Sequence, residues 1–180
     1  PLFLGGLMVL STFAIIFSGP SQTSSSSSTY KDISFRLTAQ GWESTLQGQS
    51  ILLRHGPEEL ASLFSQHSFL AAASFPTLQK IYVSTLPDEP VQEAVRDFYL
   101  NSYLLPPISF SCAADAPGCE SLPLKTCRDA TAAMGVVLFR IGDPSSFAVE
   151  GSCVTLTAPT SSALTQLADT WVYTLYGVFP

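Results

Sequence analysis

The chain has 180 residues, carries a formal net charge of −6 and contains eight Lys and Arg. Those eight are scattered along the sequence, which excludes the clustered basic patch that nucleic-acid binding needs. Charged residues make up 12% of the chain, about half the usual ~25%, so the surface is sparsely charged.

Residues 1–19, PLFLGGLMVLSTFAIIFSG, contain no charge, and Pro20 follows directly. A helix of this length would span about 28 Å, close to the ~30 Å hydrocarbon core of a bilayer. The pattern predicts an apolar membrane-type or filament-core helix over 1–20, ended by Ser18, Gly19 and Pro20. The chain opens on Pro1 with no basic residue ahead of the apolar run, unlike a secretory signal peptide. Residues 21–29, SQTSSSSST, form a low-complexity Ser/Thr-rich linker. Ser24, Ser25, Ser26, Ser27, Ser28 and Thr29 are candidate O-glycosylation positions. Asn101, the sole asparagine, is followed by Ser-Tyr and is no N-glycosylation acceptor.

The remaining 30–180 reads as one globular head. In KDISFRLTA, Ile33, Phe35 and Leu37 alternate with polar residues, the period of a half-buried strand. A second strand begins at Trp42, and SILLRH after a turn at Gly48-Gln49 gives a third, completing a three-stranded meander. Pro57-Glu58-Glu59-Leu60 starts a short helix, with acids at the positive end of the helix dipole. KIYVST (80–85) is a strand. Pro90 opens a longer helix with Val91, Ala94, Val95 and Phe98 as its apolar stripe, stopped by Pro106-Pro107. The cysteine-containing segment 108–128 reads mostly as loop. MGVVLFRI (134–141) is a central strand, and FAVEGSCVTLTA adds one or two more. The last helix, capped by Thr160 or Ser161 and ended by Gly177, buries Leu164, Leu167, Ala168, Trp171, Val172 and Leu175. Tyr173 falls off that stripe. The expected class is α+β: an N-terminal apolar helix, a Ser-rich linker, then a mixed or antiparallel sheet packed with two or three helices.

Four cysteines, Cys112, Cys119, Cys127 and Cys153, lie in the second half with no C-x-x-C spacing. An even count beside an exported segment points to two disulfides that staple the head in an oxidising space. Three pairings are open. The spacing favours Cys112–Cys119, around Ala-Pro-Gly, and Cys127–Cys153, whose loop would contribute roughly 3 kcal/mol. No metal site is expected, because His55 and His67 lie far from the cysteines and Asp115 and Glu120 lack alternating oxygen ligands. No cofactor motif occurs, and no Ser–His–Asp arrangement is apparent. His55 reads as a turn residue and His67 as a helix end. The chain is expected not to be an enzyme.

Retention of an apolar segment at the N-terminus, with helix-breaking Gly19-Pro20 and then a globular head, resembles type IV pilins, and archaeal pilin-like proteins most. Bacterial members carry a glutamate at the fifth position, where this chain has Gly5. In the head, GWESTLQGQSILLRHGPEEL, C-R-D-A-T, E-G-S-C-V-T-L and A-D-T-W-V-Y-T-L-Y-G-V are similar to single-span archaeal surface proteins of unassigned activity. The resemblance implies a structural subunit of an extracellular filament. Leu2, Phe3, Leu4, Leu7, Val9, Leu10, Phe13, Ile15, Ile16 and Phe17 would then pack between copies as the homo-oligomeric core, after transient membrane anchoring. The alternative is a permanently membrane-anchored, single-span accessory or binding subunit facing out of the cytoplasm, at the cell surface.

Overall fold

The structure is a computed structural model that describes residues 26–180. The expected helix over 1–20, with its assembly residues Leu2 to Phe17, and Ser24 and Ser25 of the linker lie outside the described residues. Among the described residues no helix is long and apolar enough to cross a membrane.

Four short strands form an antiparallel meander: β1 (Ser27–Tyr30), β2 (Ile33–Thr38), β3 (Gly41–Leu46) and β4 (Gln49–Leu53). The turn residues Lys31 and Asp32 both have positive φ, as do Gln47 and Gly48. Two consecutive positive-φ residues match the twist of flanking strands, which is why two residues suffice at these two hairpins. Two expectations are corrected here. The meander has four strands, because Ser27, Ser28 and Thr29 are not linker but pair with Arg36, Phe35 and Ser34 as β1. The turn falls one residue earlier than Gly48-Gln49.

Helix α1 (Pro57–Gln66) follows, with Pro57 in its first turn and Glu58 and Glu59 at the positive end. Two 3₁₀ turns, Phe69–Ala72 and Phe75–Thr77, lead into a second sheet. Its strands are β5 (Lys80–Thr85), β6 (Ile108–Cys112), β7 (Met134–Ile141), β8 (Ser146–Glu150) and β9 (Cys153–Ala158), in the order β6-β5-β7-β9-β8. β5, β6, β7 and β9 run parallel and β8 is the antiparallel edge. Helix α2 (Gln92–Asn101) connects β5 to β6, and α3 (Ser161–Leu175) follows β9.

The fold class is therefore corrected. The head is α+β, but it contains two sheets where a single mixed or antiparallel sheet was expected, and the larger sheet is mostly parallel. Segment 108–128 is mostly loop as expected, but it opens with the parallel edge strand β6, Ile108–Cys112. Helix α2 begins at Gln92, and Glu89 does not cap it. The Glu89 carboxylate instead accepts the Ile141 N–H at 2.9 Å, tying the entry of α2 to the end of β7.

Helix α3 is buried on both sides, which positions everything else. Trp171 is fully buried, stacked on Phe98 of α2 with centroids 5.0 Å apart and met edge-on by Phe147 of β8 at 5.4 Å. On its other side Tyr173 meets Phe35 of β2 edge-on at 5.7 Å. The meander and the parallel sheet thus sandwich the helices in one continuous core. The expectation that Tyr173 lies off the buried stripe is corrected, because a second sheet covers the face it occupies.

Candidate functional site

The four cysteines form Cys112–Cys119 and Cys127–Cys153, the pairing favoured by the spacing. Together they hold segment 113–133 against the second face of the parallel sheet. There the Ser84 hydroxyl donates to Lys125 O at 2.6 Å, and the Lys125 ammonium lies 5.3 Å from the Tyr82 ring centre. Disulfides of this kind belong to an oxidising compartment.

The most unusual electrostatic feature is the pair His55–Asp169. Asp169 is the sole charged residue of α3 and is fully buried. Its Oδ2 accepts the backbone N–H of His55 at 3.1 Å and lies 2.9 Å from His55 Nδ1. One helical turn further on, the Tyr173 hydroxyl donates to His55 O at 3.0 Å. The end of β4 is thus fastened to α3 through one residue. Burial works against the imidazolium, but the hydrogen bond and charge of Asp169 outweigh it, and the His55 pKa lies above its ordinary value. The Tyr173 phenol is pushed up by burial and by the Asp169 charge beside it.

A His–Asp pair is two thirds of a nucleophile-activating triad. Among the described residues no serine, threonine or cysteine is hydrogen-bonded to His55, so the geometry is that of a clamp between strand and helix. His67 ends α1 and meets Phe69 edge-on at 5.9 Å. Burial lowers its pKa, against the cation that the end of the helix dipole would favour.

Beside β4 runs a groove of about 600 Å³, with Gln40, Ser50, Arg54, Arg96, Leu100 and Tyr103 in its walls. Arg54 bonds to Asp97 through Nε and reaches Glu93 at 2.7 Å, and Arg96 reaches the other Asp97 oxygen at 3.1 Å. Two cations and two anions balance, and no histidine, cysteine or lysine lines the groove. It offers planar hydrogen-bond donors and the Asp97 carboxylate beside an apolar rim.

The remaining candidate residues are dispersed. Ser26, Ser27 and Thr29 are exposed, while the Ser28 hydroxyl donates to Glu58 at 2.9 Å. Both carboxylate oxygens of Glu120 accept the Gly118 N–H at 3.1 Å, closing the small disulfide loop. Among the described residues no three His, Cys, Asp or Glu side chains gather as a metal site would require. Sequence reading missed Asp169 and Asn101. For the first, the signal was a lone acid inside an apolar helix, and for the second, the chain's only asparagine at a helix end. Comparison of the chain with protein-family models, curated proteins and solved structures gives no match.

Proposed function

We propose that the chain is a structural subunit of an extracellular, pilin-like filament. Apolar residues 1–19 of neighbouring copies bury against one another, and the disulfide-stapled heads form the outer surface. The observation that carries this reading is the adjacency of two unlike parts. Nineteen uncharged residues stand next to a head whose first strand already begins at Ser27. Residues 21–26 reach at most about 20 Å when fully extended, so heads sit close to whatever packs residues 1–19. Each Leu, Ile or Phe removed from water there contributes about 1.5–3 kcal/mol, a large sum over many copies. Repetition of a heterologous contact produces an open fibre. The head adds durability by covalent staples.

The test images surface material sheared from cells that make the full chain, with the polypeptide identified by mass spectrometry. Filaments that contain it, and that disappear when Leu10 or Ile15 is replaced by Asp, are expected. Recovery of the chain solely in detergent-solubilised membranes, with no fibres, would establish the anchored accessory subunit instead.

A further inference from the structure

We propose that the groove beside β4 binds a neutral oligosaccharide. Arg54, Arg96, Asp97 and Gln40 meet its hydroxyls, and Tyr103 lies against the C–H face of one sugar ring.

The hollow of about 600 Å³ along β4 does not end at its own walls. It shares Ala39, Gln40 and Leu52 with a hollow of about 310 Å³ that reaches Thr38 and Glu43. At its other end it shares Leu100 and Tyr103 with one of about 250 Å³ that reaches Pro107 and Ile108. The three form one trough between the β2–β3 turn, β4 and α2. Its central part alone has the size of a small-molecule site, ~300–1,000 Å³, and its continuation at both ends suits a linear chain of similar units.

The polar groups of the trough are already in place. Arg54 donates through Nε to Asp97 and reaches Glu93 through Nη2 at 2.7 Å. Arg96 donates to Asp97 Oδ1 through Nε at 3.2 Å and through Nη2 at 3.1 Å. These pairs hold both guanidiniums and leave Nη1 of each outside them. The Asp97 carboxylate receives three N–H groups and keeps one of its about four acceptor positions. Gln40 and Ser50 are exposed, and each offers both a donor and an acceptor. Side chains fixed by one another before a ligand arrives lose little freedom on binding it. A sugar presents adjacent hydroxyls, each at once donor and acceptor, which planar forks can meet in pairs. Beside the forks Tyr103 is 58% exposed and Leu100 52%, an apolar strip for the C–H face of a ring.

Three observations select a neutral saccharide over other occupants. An anion calls for an uncompensated cation, but both guanidiniums are matched by Asp97 and Glu93, and the net charge of −6 repels polyanions. A peptide added to a sheet calls for a free strand edge, but at Leu52 both backbone groups of β4 are taken by the Asn101 amide. A wholly apolar ligand would strip water from the forks and return no hydrogen bond. The site is independent of how residues 1–19 associate.

The test is calorimetric titration of the full chain, in a detergent without a sugar headgroup, with cellohexaose, mannohexaose and maltohexaose. Saturable binding of at least one is expected, with a Kd below about 1 mM and little change on adding salt. Tyr103 is largely exposed and the Arg96 side chain is 59% exposed, so Tyr103→Ala and Arg96→Gln leave the core untouched. Each should weaken binding about tenfold, with circular dichroism and both disulfides retained. Tyr82→Ala, which removes a ring from the second face of the parallel sheet, should leave binding unchanged. Absence of saturable binding with all three probes overturns the proposal. Binding that survives Tyr103→Ala or Arg96→Gln, or that Tyr82→Ala removes, overturns it too. So does binding of hexagalacturonate alone that fades with added salt, the mark of a simple cation patch.

Discussion

The side-chain amide of Asn101 stands in for a neighbouring strand at Leu52. Leu52 N–H donates to Asn101 Oδ1 at 2.8 Å, and Asn101 Nδ2 donates to Leu52 O at 2.9 Å and to Asp97 O at 2.7 Å. β4 is the outer strand of the meander, so one side chain from the end of α2 closes its edge at that point. Asn101→Leu removes three hydrogen bonds and leaves backbone groups unsatisfied, at a cost of about 2–4 kcal/mol. Denaturant unfolding with an unchanged m-value checks this, and a loss below about 0.5 kcal/mol would refute it.

The His55–Asp169 clamp makes stability depend on pH. The folded His55 pKa is raised above its unfolded value, so its contribution is complete below about pH 6.5 and fades as pH rises through the folded value. Stability to urea should therefore fall as pH rises above about 6.5, and Asp169→Asn should flatten that slope. The chain has two histidines, so their ring signals are easily assigned. His55 should titrate above the ordinary value and His67 below it.

Gly41 opens β3 at φ +140°, and a Cβ there would press on the Leu53 carbonyl. Backbone on the facing strand cannot yield as a flexible side chain would. Gly41→Ala should cost more than about 1 kcal/mol, and in thermal melts more than Gly48→Ala, where φ is +79° and the surroundings are open. A smaller loss at Gly41 than at Gly48 would contradict the crowding.

The two disulfides should differ in weight. Loop closure assigns about 3.5 kcal/mol to Cys127–Cys153 and about 2.5 kcal/mol to Cys112–Cys119. Paired Cys→Ser variants compared by denaturant midpoint test the order. Loss of Cys127–Cys153 should also free segment 113–133 from the sheet, read as faster amide exchange at Lys125.

Much of the head was legible because its periodicity is local. MGVVLFRI is apolar on both faces and proves to be the central strand β7, and the 3–4 spacing of Leu164 to Trp171 marks α3. Other elements depend on partners distant in sequence. ISFSC alternates weakly and exposes Phe110, so β6 acquires strand character only from its pairing with β5. Ser27 to Thr29 look like linker because serine is a poor strand former, and the ladder with β2 overrides that tendency. Tyr173 looked peripheral because one buried stripe was assumed where two sheets cover α3. The site was less legible. The Asp169 clamp and the Asn101 edge closure join residues more than forty positions apart, and neither leaves a spacing motif.

Tyr30 in the first strand meets Phe179 edge-on at 5.8 Å, and Phe179 in turn packs on Phe64 and Tyr173. The place where the chain enters the head and the place where it leaves are therefore one clasp. Tension arriving through residue 26 is resisted by Phe179 and its aromatic neighbours as much as by the hairpin it enters. Truncating Phe179 would loosen the grip on β1.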